Sequence, residues 1–162
     1  MVSNPPAELS LQPLNGPART IQEWLTTFHL AVVVIDPYTV ESAWVLQAAA
    51  RILRNFSGAG VRVSFVVTAD EADARTFLGP LTEEFLVFVD PDRSVVKALT
   101  LAQLPAFVFV YEDGSVGASA EGWDPRTWGA VSDLIAATTA WSKPLLPHAG
   151  DPAPFAGSPA LG

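Results

Sequence analysis

The stretch Leu30-Ala-Val-Val-Val-Ile-Asp-Pro-Tyr-Thr-Val-Glu-Ser42 decides the fold. Its first half, Leu30 to Ile35, is an unbroken apolar run rich in β-branched residues. That pattern suits a strand buried on both faces, in the middle of a sheet covered by helices. Its second half turns through Asp36 and Pro37 into a helix expected from about Glu41 to Phe56. There Val45, Ala49, Ile52 and Phe56 recur at four, three and four residues, which lines them up on one helical face. Gly58 and Gly60 stop the helix. Val61 to Thr68 repeats the buried-strand pattern. A strand, a helix and a second strand predict a parallel pair joined by a right-handed crossover.

The reading extends in both directions. Asp70 opens a short helix to Leu78, Phe85 to Val89 is extended, and Asp90-Pro91-Asp92 turns into a helix ending near Leu99. Pro105 precedes a strand from Ala106 to Tyr111. Glu112-Asp113-Gly114 turns it back into Ser115 to Ser119, making an antiparallel hairpin. A last helix runs from Pro125, at the first turn after the cap Asp124, to Thr139. Upstream, Leu9 to Leu14 reads as a strand ended by Asn15-Gly16-Pro17. Thr20 caps a helix through Ile21, Trp24, Leu25 and Phe28. The order predicts an α/β fold: a central mixed sheet of parallel strands plus the late antiparallel hairpin, with helices on both faces. Trp24 and Trp128 read as core, whereas Trp123 and Trp141 have no clear place. Residues 1–8 and 143–162 read as disordered tails around a domain at 9–142, because prolines remove amide donors and small residues bury little.

Composition narrows the functional classes. The 162 residues suffice for one domain with a sizeable core. With 49% hydrophobic and 16% charged residues, the chain is globular in character. A formal charge of -8, with Arg51, Arg54, Arg62, Arg75 and Arg93 scattered singly, argues against nucleic acid as a partner. The chain has no cysteine, hence no disulfide, thiolate nucleophile, Cys-type zinc site or iron–sulfur cluster. His29 and His148 lie far apart, so no metal or other cofactor is expected. Residues 1–6 lack a secretory pattern, and the apolar run Leu30 to Ile35 falls far short of the roughly 20 residues that span a bilayer. A cytoplasmic protein with no membrane partner is the expectation.

The order of elements, together with particular residues, resembles the thioredoxin-like superfamily over roughly residues 9 to 140. In that family an aromatic residue followed by Cys-x-x-Cys stands where a buried strand meets a helix amino terminus. Tyr38 resembles the aromatic, and Thr39-Val40-Glu41-Ser42 fills the Cys-x-x-Cys frame. Leu104-Pro105 resembles the family's cis-proline, Glu112-Asp113-Gly114 its hairpin turn, and Glu121-Gly122-Trp123-Asp124-Pro125 the approach to its last helix. The segments Leu9 to Leu25 and Phe85 to Leu99 look like the TlpA and peroxiredoxin-like branch.

The resemblance implies the fold and marks what is missing from it. The family's nucleophile is a thiolate that attacks a disulfide. Thr39 neither ionises near neutrality nor forms a disulfide, Ser42 cannot resolve an intermediate, and Val33 stands where thioredoxin has a buried acid. Dithiol oxidoreductase and peroxidase chemistry is therefore not expected, and no residue is assigned a catalytic role. A hydroxyl nucleophile would need a base within reach, and only Asp36 and Glu41 are near in sequence. Thr39 reads instead as a helix cap, with Glu41 favouring the helix dipole. The residue before the cis-proline offers backbone groups to extended peptides in family members. Tyr38, Thr39, Trp44, Leu104 and Pro105 thus form a candidate peptide groove. Two roles follow: a non-catalytic module that binds or scaffolds another protein, or an accessory of a redox system whose partner supplies the thiol.

Overall fold

A computed structural model describes residues 2–162. β1 (Ser10–Pro13), β2 (Arg19–Thr20) and α1 (Ile21–Trp24) lead into β3 (His29–Ile35), α2 (Val40–Asn55) and β4 (Val61–Val67). Then come α3 (Glu71–Leu78), α4 (Leu81–Glu84), β5 (Leu86–Val89) and α5 (Ser94–Leu99). β6 (Gln103–Leu104), β7 (Ala106–Val110), β8 (Val116–Glu121), α6 (Pro125–Thr139) and β9 (Ser158–Pro159) complete the order. Seven strands form one sheet in the order β2-β1-β5-β4-β3-β7-β8, while β6 and β9 pair separately. β4 is parallel to β3 and β5, and β7 runs antiparallel to both β3 and β8. This is the mixed sheet the sequence predicts.

The period-two alternation of β3 divides the core into two layers. Ala31, Val33 and Ile35 join Val45, Ala49, Ile52 and Phe56 around α2, with Trp128, Val131 and Ile135 of α6. Leu30, Val32 and Val34 join Ile21 of α1 and Val95, Val96 and Leu99 of α5 on the other face. Each such valine, leucine or isoleucine side chain contributes about 1.5–3 kcal/mol by leaving water. The helix starts follow local chemistry. The Thr20 hydroxyl accepts from the Glu23 amide while the Glu23 side chain reaches back to Thr20, and Asp70 and Asp124 accept from the amides of Asp73 and Arg126.

The expectations change in three places. The helix expected to reach Phe28 ends at Trp24, since Leu25 must turn inward to be buried while the chain reverses into β3. Trp24 is only half-buried, edge-on to Phe88 at 5.1 Å, with the guanidinium groups of Arg19 and Arg62 over its ring. The remaining corrections concern the two expected tails. Ser3 donates to the Leu99 carbonyl at 2.9 Å, and the Asn4 side chain accepts from the Val116 amide at 2.8 Å. Residues 143–162 are likewise not a free tail. Arg51 holds Asp151 in a two-pronged ion pair, Phe155 pairs with Trp123, and Ser158–Pro159 forms β9 against β6. Local propensity is absent from both segments, so distant partners supply the hydrogen bonds that regular structure otherwise would.

Candidate functional site

The register of the central strands sets the site. Val34 of β3 pairs with Ala106 of β7, so the loop Asp36–Thr39 and the Leu104–Pro105 bond lie at the same end of the sheet. The Leu104–Pro105 bond is cis. Asp36 is buried just beyond β3. Its Oδ1 accepts from the Tyr38 amide at 2.9 Å, and its Oδ2 pairs with Arg93 Nη2 at 3.0 Å. The scattered arginines of the sequence carried no signal of this pair, which the fold makes across 57 residues.

The degenerate motif turns its hydroxyls inward. Ser42 is 2% exposed, and its Oγ donates to the Asp36 carbonyl. Thr39 Oγ1 donates to the same carbonyl at 3.3 Å and lies 2.7 Å from Ser42 Oγ. Thr39 occupies the cap position by its backbone, with φ −102° and ψ 143°, yet its side chain caps no helix amide. The expected capping role is thus only half met: the Asp36 carbonyl takes the hydroxyl first. Glu41 stands in the first turn of α2, and Val33 is fully buried beneath. His29 sits at the opposite end of β3, where its Nδ1 accepts from the Glu112 amide at 3.0 Å. No imidazole or unpaired carboxylate faces either hydroxyl through the hydrogen bonds described, so the arrangement has no activated nucleophile. Among the described residues, no three acidic or histidine side chains are placed to share a metal ion.

The candidate groove residues divide into two sets. Tyr38 and Trp44 are 63% and 57% exposed, and Val40 of the degenerate motif, between them in sequence, is 66% exposed. The Tyr38 hydroxyl donates to Asp73 Oδ2 at 2.5 Å, and this bond is the main cause that pushes its phenol up to about 12. Leu104 and Pro105 are instead buried. β9 lies along β6, with Ser158 opposite Leu104 and Pro159 opposite Gln103. Phe155 stands edge-on to Trp44 at 6.3 Å and forms two 2.9 Å backbone bonds with Trp123. Trp123 is itself fully buried and donates its indole N–H to the Pro152 carbonyl, whereas Trp141 lies at the surface on the Asn55 carbonyl. Arg93 joins the two sides, with Nη1 on the Ala160 carbonyl and Nη2 on Asp36.

A cis-proline facing a strand–helix junction across a mixed β3-β4-β5 and β7-β8 sheet defines a thioredoxin-like fold. Here that fold lacks the dithiol. Solved structures agree. This chain is similar to a secreted Mycobacterium tuberculosis disulfide oxidoreductase homologous to E. coli DsbE, at 17% identity and TM-score 0.61, covering 81% of this chain and 96% of that one. It is also similar to the Xanthomonas campestris bacterioferritin comigratory protein, at 16% identity and TM-score 0.65, over 88% and 98% of the two chains. M. tuberculosis DsbF matches at 22% identity and TM-score 0.61, over 83% and 98%. A scan against family models finds no match, and a search of curated proteins finds no relative. No helix of the described residues is long and apolar enough to cross a membrane.

Proposed function

We propose that this chain is a non-catalytic thioredoxin-like module that binds another protein at the end of the sheet where the family carries its dithiol. One observation carries the reading: Tyr38, Val40 and Trp44 stand 57–66% exposed around a motif whose two hydroxyls are both turned onto a backbone carbonyl. Val40 and Trp44 are one helical turn apart on the same face of α2. Exposed aromatic side chains are frequent anchors of a protein interface. The absence of cysteine supports the non-catalytic half, since no thiolate can form.

The two halves are tested separately. In an insulin-reduction assay the purified chain gives the rate of the blank, and measurable turnover overturns the non-catalytic reading. A pull-down from native lysate, comparing the wild-type chain with Val40→Asp/Trp44→Ala, tests the binding face. Capture of a partner that the double variant loses supports it. Full retention by a folded variant places binding elsewhere.

A further inference from the structure

We propose that Arg19 and Arg62, held over the indole of Trp24, form a docking surface for an acidic segment of a partner protein. Val61, beside Arg62 at the start of β4, pairs with His29, whereas the Asp36–Tyr38 loop follows Ile35, which pairs with Val67. The surface therefore lies at the opposite end of the sheet from Tyr38 and Pro105. The inference goes beyond the reading above and does not rest on it.

The charge pattern singles out these two side chains. The chain has 17 acidic residues against 9 basic ones, so a cation readily finds a carboxylate. Arg51, Arg54, Arg75, Arg93, Arg126 and Lys143 each do. Among the described residues, Arg19, Arg62 and Lys97 form no such pair. Lys97 stands in the last turn of α5, where the helix carbonyls favour a positive charge. The other two converge on one ring. Their guanidinium carbons lie 5.3 Å and 5.5 Å from the Trp24 ring centroid, and that of Arg62 lies 5.2 Å from the Phe28 centroid. Glu23, the carboxylate next to Trp24 in sequence, is engaged elsewhere: its Oε1 accepts from the Thr20 amide at 3.2 Å and hydroxyl at 3.1 Å.

Packing holds the two charges in place. Trp24 stands edge-on to the fully buried Phe88 at 5.1 Å, which fixes its ring. Arg62 Nε donates to the Trp24 carbonyl at 3.2 Å. Among the described residues, the Nη groups of Arg62 and the whole Arg19 guanidinium have no hydrogen-bond acceptor. Planar guanidinium forks match carboxylates two bonds at a time, and a fork already stacked on a ring loses little rotamer freedom on binding. Phe28, 38% exposed, and the half-buried Trp24 add apolar contact beside the charges, and tryptophan with arginine is the usual make-up of an interface anchor. The net charge of -8 repels a polyphosphate or an anionic membrane at a distance. A short segment with a few Asp or Glu side chains beside an apolar one meets little of that repulsion and fits both features.

The test titrates the full, nitrogen-15-labelled chain with the capped peptide Glu-Glu-Leu-Glu-Glu-Leu and follows it by NMR. The Trp24 indole N–H and the Arg62 Nε–H shift saturably, and binding weakens as salt is added. Arg19→Gln/Arg62→Gln weakens binding about tenfold or more, the worth of one charge-assisted hydrogen bond. Arg19→Gln alone, at an exposed position, keeps the fold and weakens binding by a smaller factor, so the test stays readable if the double variant unfolds. The same peptide with lysine for each glutamate does not bind. Four outcomes overturn the proposal. The first is no saturable shift at Trp24 and Arg62. The second is a folded double variant, or Arg19→Gln, that binds as wild type does. The third is an oligothymidylate or a phosphatidylserine vesicle that binds as tightly as the acidic peptide. The fourth is a concentration-dependent dimer in sedimentation that Arg19→Gln abolishes, which makes the occupant a second copy of this chain. The Val40→Asp/Trp44→Ala pull-down reads the other end of the sheet, so either result can fail without the other.

Discussion

Tyr38 and Asp73 form a bond that sequence separation hides, the hydroxyl lying 2.5 Å from Oδ2 across 35 residues. The bond favours the protonated phenol, whose pKa rises from 10.0 to about 12. Because the folded value is the higher, its contribution to stability is present below pH 10 and is lost as the pH climbs toward 12. Asp73→Ala returns the Tyr38 titration most of the way to 10, which an NMR titration of the ring resolves from Tyr111. Arg93 and Asp36 are a second residue-scale case. Removing one member of a buried ion pair leaves a charge without its partner. Arg93→Ala lowers the urea-unfolding free energy by about 3 kcal/mol, more than Arg93→Lys does. Residue identity alone exposed the lost chemistry of Thr39 and Ser42. It said nothing of Arg93, since an isolated arginine has no local pattern until folding brings Asp36 beside it.

Elements were the most legible scale. The four-three-four spacing around Val45, Ala49, Ile52 and Phe56 marks the buried stripe of α2, and all four side chains are fully buried. Ile52→Ala removes three carbons' packing from that stripe without relief elsewhere, and the expected loss is about 2–5 kcal/mol in thermal or urea unfolding. The starts of α1, α3 and α6 were equally readable because Thr20, Asp70 and Asp124 act on amides within three residues. α5 differs. Its first turn is met by Asp90, whose carboxylate accepts from the amides of Val95 and Val96. Burial pushes the Asp90 carboxyl up, against the opposing pull of those amides. A raised acid stabilises the fold fully below its unfolded value of 3.8 and loses that contribution as the pH rises through the folded value. Asp90→Asn, which cannot ionise, therefore gains on the wild type as the pH rises from below 3.8 to neutrality. Melts of both proteins at the two pH values check the sign.

At the scale of the whole molecule, the chain returns to its own centre. Asp151 on Arg51, Phe155 on Trp123 and Ser158 on Leu104 carry the segment from the flank of α2 to the cis-proline. Amide exchange should rank these contacts: Ala160 opens faster than Val33 or Val34 in the centre of β3, because β3 is paired along both edges whereas β9 pairs over two residues on one side. Equal protection would mean one cooperative unit. Periodicity determined the alternation of strands and helices, and composition determined that no thiol chemistry is available, since both are properties of neighbouring residues or of residue type. Only the tertiary structure decided where residues 143–162 go and what lies against Gln103 and Leu104. Their prolines and glycines interrupt helix and strand periodicity, and they take shape against Arg51, Leu104, Trp123 and Arg93, which lie tens of residues away in sequence.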